Sequence, residues 1–330
     1  MTDEARATTP PRAHPAGPPG LPDLGRCLVM GVVNVTPDSF SDGGAWFETG
    51  AAVSHGLRLA AEGADIVDVG GESTRPGAQR VDADEELRRV APVIAELAGA
   101  GLTVSVDTTR TAVAEFALGA GARMVNDVSG GRADPRLPRL VAEAGVPYAI
   151  MHSRGPSHDM QQRAVYDDVV REVRDELRQR VDAVTAAGVD PAAIIVDPGI
   201  GFAKLPRHNW TILARLAEIS CLGGGSPFPV LIGASRKSFL GKLLPGADGS
   251  PRPAAGRDEA SVAVSALAAA AGAWCVRVHA VAANADAVRV AARWHEACEP
   301  PGAAPGGKGR PAPDAAGRGR VRRDQPDAAG

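Results

Sequence analysis

Eight short apolar runs in this sequence each end in residues that are too polar for a packed core. In chain order these residues are Asn34, 72–75, Asp107, 126–127, Met151 with His152, Asp197, 235–238 and 277–279. A single Asp after a strand is usually the N-cap of the following helix. Eight successive apolar runs that end in this way are hard to explain by capping, and they predict one shared functional site.

Four of these residues suit the binding of a flat, aminated heterocycle. Asp107, Asn126 and Asp197 offer two carboxylates and an amide, which match the N–H-rich edge of such a ring. Lys237 adds a cation that can reach a ring carbonyl. Each residue also has a structural interpretation: Asn126 and Asp127 could form a turn, Asp197 begins the turn sequence Asp-Pro-Gly, and Lys237 could form a solvated surface pair with the preceding arginine.

A second group of strand-end residues suits a phosphate. Arg75, Arg277 and His279 are donors of the kind that bind anions, although His279 alone could equally be a core imidazole. Asn34 could position a hydrated Mg²⁺ that shares oxygens with a substrate phosphate. The sequence has no G-x-S-x-G elbow, so nucleophilic catalysis is not favoured. The pattern predicts a site that binds two substrates and stabilises a departing anion.

The elements that position these residues follow from the hydrophobic periodicity. The predicted strands are 27–33, 65–69, 103–106, 123–126, 147–151, 193–196, 230–232 and 274–278. The predicted helices are 51–61, 83–98, 111–118, 137–144, 167–187, 209–219, 258–271 and 285–297. Near-continuous apolar strands indicate a parallel sheet that is covered on both faces, and eight such strands close a barrel.

The expected fold is therefore an α/β (β/α)8 TIM barrel, with the polar strand ends gathered at its carboxyl mouth. A doubly wound open sheet is the structural alternative, but no strand is followed by a G-x-G-x-x-G turn or a G-x-x-x-x-G-K-[ST] loop. The single domain is expected at 23–298. A disordered N-terminal segment (1–22) and a disordered, mildly basic Pro/Gly/Ala-rich tail (299–330) are expected on either side.

Composition excludes several classes of protein. A net charge of −3 gives no electrostatic reason to bind nucleic acid or an anionic membrane. The longest apolar run, 262–276, is too short to span a bilayer, and the N-terminus lacks the apolar core of a signal peptide. The four cysteines form no Cys-x-x-Cys pair, so a cytoplasmic enzyme without disulfides or zinc is expected.

Seven segments, in chain order, resemble the dihydropteroate synthase family. They are GVVNVTPDSFSDGG (31–44), DVGGESTRPGA (68–78), SVDT (105–108), NDVSGG (126–131), DPGIGFAK (197–204), GASRKSFLG (233–241) and RVH (277–279). The resemblance extends over 27–290. It implies a transferase of folate biosynthesis that joins 6-hydroxymethyl-7,8-dihydropterin pyrophosphate to p-aminobenzoate, releases pyrophosphate and is the target of sulfonamides.

The resemblance also implies roles for individual residues. It places the pterin pocket at Asp107, Asn126, Met151, Asp197, Phe202 and Lys237. It places pyrophosphate at Asn34, Arg75, Arg277 and His279, with Mg²⁺ at Asn34. It places p-aminobenzoate and two mobile loops at Phe40, Asp42, Thr74, Arg75, Pro76 and Ser238. Catalytic roles are expected for Asp107, Lys237, Arg277 and His279.

The implied reaction is dissociative. Mg²⁺, Arg277 and His279 would stabilise the leaving pyrophosphate, and Asp107 would stabilise a cationic pterin with Asp197 as a second candidate. The arylamine would then attack in a closed site, where proximity takes the place of a base. Barrels of this kind often pair through their outer helices, so a homodimer is expected.

Two other functions remain open at this stage. One is a pterin-binding methyltransferase that acts on methyltetrahydrofolate, which would have no use for the motifs at 34–44, 235–237 and 277–279. The other is a non-catalytic relative that binds pterins or serves as a scaffold, which the intact Arg75, Lys237 and Arg277 disfavour.

Overall fold

The structure is a computed structural model that describes residues 17–36, 44–72, 81–155, 160–223 and 226–298. Its strands are β1 Leu28–Asn34, β2 Ile66–Gly70, β3 Val104–Asp107, β4 Met124–Asp127, β5 Tyr148–Met151, β6 Ile194–Asp197, β7 Leu231–Ile232 and β8 Cys275–Val278. Its helices, within that part of the chain, are α1 Gly44–Ala61, α2 Ala83–Gly99, α3 Thr111–Gly119, α4 Leu137–Ala144, α5 Val169–Ala186, α6 Pro206–Ala214, α7 Leu216–Ser220, α8 Ser238–Leu243, α9 Asp258–Ala270 and α10 Val281–Cys298.

The eight strands form one parallel sheet that closes almost completely on itself. Their order is β6-β5-β4-β3-β2-β1-β8-β7. The two ends of this order also meet, because Val196 of β6 bridges to Val230, the residue just before β7. The amide of Val196 donates to the carbonyl of Pro229 at 2.9 Å. The sheet is therefore a nearly closed barrel with helices between its strands, which confirms the predicted (β/α)8 fold and excludes the open sheet.

Alternation along the strands divides the apolar residues into two cores. In β1, Val29 and Val33 belong to the large cluster between the barrel and its helices. Leu28 and Met30 belong to a smaller cluster that fills the inside of the barrel. Because successive side chains of a strand point to opposite faces, one run of apolar residues serves both cores. This double burial explains why the strands read as continuous apolar segments.

The base of the barrel is covered by residues before β1. Leu21 packs against the inner cluster, which also contains Trp274, and Pro18 is buried. Residues 17–22 were expected to belong to a disordered segment, whereas here they lie against the barrel. Residues 1–16 and 299–330 fall outside the described part of the chain, so the predicted tails and domain boundaries stay predictions.

Several element boundaries differ from those predicted. Each strand lies within one residue of its expected place, but β1, β3 and β6 include the polar residues Asn34, Asp107 and Asp197, because the ladder pairing continues through them or up to them. The single helix predicted at 209–219 is two helices, interrupted at Arg215, whose φ of −118° and ψ of 34° depart from the α-region. The hydrophobic periodicity did not predict helix α8, but the helix begins at Ser238, where the family resemblance implies the start of a helix after the seventh strand. No helix of the described residues is long and apolar enough to cross a membrane.

The contribution of the barrel base can be measured with Trp274→Ala. Trp274 is 3% exposed, so its truncation leaves a cavity that should lower the free energy of unfolding by about 3–5 kcal/mol. Thermal denaturation followed by circular dichroism should show a Tm lower by about 10 °C. Phe116→Ala is the matched control, because Phe116 is 50% exposed on α3. Equal Tm values for the two variants would contradict the packing described here.

Candidate active site

The carboxyl ends of the strands bring the predicted polar residues to one mouth. Cα pairing runs from Asn34 through Gly70 and Asp107 to Asn126, so β1 to β4 are in register across this row. On the far side, Met151 pairs with Asp197. Asp107 and Asp197 are each 8% exposed and Asn126 is 4% exposed. These groups are therefore nearly dehydrated, and their hydrogen bonds decide their charge and orientation.

Arg277 connects the strands on one side of the mouth by hydrogen bonds to two carboxylates. Its Nε donates to Asp68 Oδ2 at 2.6 Å, and its Nη2 donates to Asp107 Oδ2 at 2.7 Å. Asn126 Nδ2 donates to the same Asp68 oxygen at 3.1 Å. Asp68 is completely buried, whereas the Arg277 side chain is 21% exposed. The network ties β8, β2, β3 and β4 together and leaves Arg277 with an edge toward the opening.

Burial sets the charge state of this network. Burial raises the pKa of Asp107 to about 7, against the opposing effect of Arg277 and with a further rise from Asp68. For Arg277, burial lowers the pKa, but Asp68 and Asp107 outweigh it, and the net shift is upward. Arg277 therefore stays charged, and Asp107 is a carboxyl group that can change protonation near neutral pH.

Asn126 and Asp127 are neighbours in sequence with different functions. Asp127 is fully buried and faces away from the mouth. It accepts hydrogen bonds from the amides of Ser129 and Gly131, each at 2.7 Å, and from the Tyr148 hydroxyl at 2.8 Å. The turn interpretation is therefore correct for Asp127, whereas the amide of Asn126 points to Asp68 inside the barrel.

The loop after β6 forms the other side of the mouth. Asp197 Oδ1 accepts from the Gly199 amide at 2.7 Å. Gly199 has a φ of +68°, and a Cβ there would collide with the carbonyl oxygen of His152. The Lys237 ammonium donates to the Ile200 carbonyl and lies 4.7 Å from the centre of the Phe202 ring. Lys237 is therefore fixed on this loop and is not a solvated surface group.

Burial shifts the pKa values of Asp197 and Lys237, and the charge of each residue opposes the shift of the other. Burial raises the pKa of Asp197, and Lys237 is the first of the charges that oppose this rise. Burial lowers the pKa of Lys237 to about 8, and Asp197 opposes that shift. This side of the mouth thus presents a carboxylate and an ammonium, which matches the donors and acceptors on the edge of an aminated heterocycle.

Residues 235–238, between β7 and the start of α8, include Arg236 and contact His279, which follows β8. Arg236 pairs with Asp258 through two hydrogen bonds of 2.7 and 2.8 Å. His279 is partly exposed, and its Nδ1 lies 3.0 Å from the Ser235 hydroxyl. His279 is thus a residue of the mouth and not of the core. Ser238 is the exposed first residue of α8.

Comparison with known proteins identifies this arrangement. The family model described as "Pterin binding enzyme" matches residues 30–279. The dihydropteroate synthase of Mycobacterium leprae is 57% identical over 267 residues, which cover 81% of this chain and 93% of that protein. The chain belongs to the dihydropteroate synthase family. This confirms the predicted family and the predicted class of enzyme, a transferase.

Solved structures of dihydropteroate synthases have the same fold. The Xanthomonas albilineans enzyme, determined with 4-aminobenzoic acid, has a TM-score of 0.74 and 46% identity over 84% of this chain and 94% of that chain. The Yersinia pestis enzyme, determined as a sulfonamide drug complex, has a TM-score of 0.76 and 38% identity over 84% of this chain and 98% of that chain.

The structure gathers most of the residues that the family resemblance had implicated. Asn34, Met151 and Phe202 lie at or just beyond strand ends of the same mouth as Asp107, Asn126, Asp197, Lys237, Arg277 and His279. The loop residues Phe40, Asp42, Thr74, Arg75 and Pro76 lie outside the described residues. Asp68 and Ser235 were assigned no function from the sequence. Asp68 binds Arg277 and Asn126, and Ser235 contacts His279. A carboxylate inside the apolar run 66–70 was the available signal for Asp68.

The network predicts a pH dependence that Asp68 controls. If ionised Asp107 stabilises a cationic ring, kcat/KM should fall as the pH drops below about 7, where Asp107 becomes protonated. Asp68→Asn removes a negative charge that raises the pKa of Asp107, so the midpoint of this acidic limb should move down by about one pH unit.

The measurement is a pH–rate profile of both proteins between pH 5 and 9. Asp65→Asn is the matched control, because Asp65 directly precedes the same strand at its amino end and pairs with Arg26 at 2.8 Å. Its midpoint should stay at the wild-type value. An unmoved midpoint in Asp68→Asn would show that another group governs the acidic limb.

Proposed function

We propose that the described mouth condenses 6-hydroxymethyl-7,8-dihydropterin pyrophosphate with p-aminobenzoate, giving 7,8-dihydropteroate and pyrophosphate. The observation that carries the proposal is the convergence of Asp107, Asn126, Asp197 and Lys237 around one opening, with Arg277 at its edge. The 4-aminobenzoic acid in the Xanthomonas albilineans relative supports the second substrate. The sulfonamide in the Yersinia pestis relative supports sulfonamides as inhibitors of this chain.

The pterin is proposed to bind by its polar edge. Asp107 and Asn126 meet one side of the ring, and Asp197 with Lys237 meets the other, so that carboxylates accept from ring N–H groups and the cation donates to the ring carbonyl. Met151 is 3% exposed and supplies an apolar wall, together with the ring of Phe202. Charged groups in such a dry pocket discriminate strongly, because a wrong ligand leaves them unpaired.

The pyrophosphate is proposed to lie over Arg277 and His279. Arg277 has its Nε fixed by Asp68, which sets the plane of the guanidinium and leaves its outer edge for an anion. His279 is oriented by the Ser235 hydroxyl. Arg75 is a third candidate, assigned from its motif alone.

Mg²⁺ is proposed as the cofactor, with Asn34 as its ligand from the chain. The described residues contain no cluster of three or more His, Cys, Asp or Glu side chains that could cage a metal. A single amide oxygen at the end of β1 fits Mg²⁺, since this ion keeps several waters and takes its other ligands from substrate phosphates. When bound, the ion would neutralise charge on the departing pyrophosphate.

p-Aminobenzoate is proposed to bind at the outer part of the mouth. Ser238 is exposed there and follows Lys237 directly, so its hydroxyl can donate to the substrate carboxylate. Thr74, Pro76, Phe40 and Asp42 are proposed to complete this part of the site.

The chemistry proposed for these residues is a dissociative displacement. Arg277 and His279 stabilise the leaving anion, and Asp107 with Asp197 stabilises the cationic pterin that remains. The arylamine is already placed against the electrophilic carbon, so no general base is assigned and proximity supplies the rate. A cytoplasmic location is part of the proposal, supported by the four free cysteines.

Lys237→Met tests the proposed activity. The wild-type chain should release pyrophosphate only when both p-aminobenzoate and Mg²⁺ are present, as measured by a coupled pyrophosphate assay. The variant should lose at least about 30-fold in kcat/KM, because removing a charged donor that is proposed to bind the substrate costs more than about 2 kcal/mol.

Lys242→Met is the control, since Lys242 is exposed on the same short helix α8. It should keep wild-type activity. Methyl transfer from methyltetrahydrofolate by the wild-type chain, without pyrophosphate release, would replace this proposal by the methyltransferase alternative.

A homodimer is also proposed, through the outer face of α9 and α10. Leu267 is 70% exposed on α9, and Val290 and Trp294 are 65% and 72% exposed on α10. Val290 and Trp294 are four residues apart and share one face of their helix. Large apolar side chains clustered on packed neighbouring helices are typical of an interface.

Trp294→Lys tests the dimer. Sedimentation velocity at micromolar concentration should give a dimer for the wild-type chain and a monomer for the variant, because a lysine charge would be desolvated in the interface. Phe116→Lys changes an aromatic residue that is 50% exposed on α3 and should leave the dimer intact. A wild-type chain that sediments as a monomer would refute the proposal.

A further inference from the structure

The DPGIGFAK segment ends in a lysine to which neither the sequence nor the proposed mechanism gives a function. Lys204 is only 3% exposed. Its ammonium lies 2.9 Å from His152 Nδ1 and donates to the Phe202 carbonyl at 3.1 Å. No carboxylate lies in contact with it among the described residues. Burying a lysine without a direct counter-charge lowers the stability of the fold. An apolar side chain of similar length would be less destabilising at this position.

His152 connects Lys204 to Glu176 of helix α5. Its Nε2 lies 3.0 Å from Glu176 Oε2, and the ring is fully buried. Burial lowers the pKa of His152 to about 3, so the ring is neutral and carries one N–H. The carboxylate of Glu176 can only accept, which places that proton on Nε2 and leaves Nδ1 to accept from Lys204. The chain of contacts therefore has one consistent set of donors and acceptors.

The segment held by Lys204 has a strained backbone. Gly199, Gly201 and Ala203 all have positive φ, of +68°, +83° and +50°. For Ala203 this left-handed conformation is unfavourable, because its Cβ crowds the following carbonyl. Such conformations persist only where the surroundings fix them. The Lys204 bond to the Phe202 carbonyl and the Tyr166 hydroxyl bond to the Ala203 carbonyl, at 3.0 Å, are two such constraints.

The orientation of Phe202 depends on this segment. Its ring lies under the Lys237 ammonium, its amide donates to the Gly199 carbonyl at 3.0 Å, and its own carbonyl is bound by Lys204. Two lysines thus contact one short loop, Lys237 at the Ile200 carbonyl and the Phe202 ring, and Lys204 at the Phe202 carbonyl. Burial lowers the pKa of Lys204 well below its usual range, and the nearby Asp197 carboxylate opposes that shift.

We propose that Lys204 is a positioning residue for the pterin pocket. It binds the Phe202 carbonyl and is itself held by His152, and in this way it fixes the Phe202 ring against Lys237. It acts through these residues and does not touch the substrate. The inference rests on the proposed placement of the pterin beside Phe202 and Lys237. On this proposal, Lys204 is buried because it sets the geometry of the substrate pocket and not because it stabilises the fold.

The test is Lys204→Met, which keeps the length and removes the donor. The KM for dihydropterin pyrophosphate and the dissociation constant of 6-hydroxymethylpterin, measured by calorimetry, should both rise about tenfold. The KM for p-aminobenzoate should change by less than twofold, because Ser238 belongs to a different segment. Lys204→Gln keeps a polar N–H group near the Phe202 carbonyl and should give a smaller rise than Lys204→Met.

Tyr166→Phe is the matched control. It removes a hydrogen bond to the Ala203 carbonyl, one residue beyond Phe202, so it should lower Tm and weaken pterin binding clearly less than Lys204→Met does. Equal losses of pterin affinity in Tyr166→Phe and Lys204→Met would overturn the proposal in favour of a purely structural lysine. So would unchanged pterin binding in both Lys204 variants. Absence of pterin binding and pyrophosphate release in the wild-type chain would instead refute the proposed function.

Discussion

The guanidinium of Arg277 lies between two carboxylates inside the mouth of the barrel, and the geometry of the site follows from that arrangement. Asp68 is fully buried and Asp107 nearly so, and a buried carboxylate requires a cation with good geometry. Arg277 supplies it across three strands that are distant in the chain. The same contacts hold Asn126 and bring Asp107 close to the pH at which it changes charge.

The opposite side of the mouth is held by contacts of a different kind. There the strand β6 ends at Asp197 and the chain continues into a loop with three positive φ angles. Lys237 and Lys204 each donate to a carbonyl of this loop. One side of the pocket is therefore fixed by the parallel strands themselves, and the other by cations that hold an otherwise unfavourable backbone. Both depend on charges that are buried at a cost to stability, as is common at functional sites.

Several functional contacts were beyond sequence reasoning for identifiable reasons. Asp68 lies inside an apolar strand, where a carboxylate looks like an exception until Arg277 is placed beside it. Lys204 looks like an exposed lysine, since that residue type is almost never buried. Asn126 and Asp127 could not be separated, because a strand sends adjacent side chains to opposite faces and the sequence does not say which face is the interior.

The sequence by itself determined the strands, most of the helices and the polar residues at the strand ends. These depend on local periodicity and on the preferences of short segments, and every strand lies within one residue of its expected position. Only the tertiary structure decided which polar groups meet. Closure of the sheet through Val196 and Val230 sets the distances across the mouth. Burial there then sets the charges, because desolvation depends on neighbours that lie far apart in the chain.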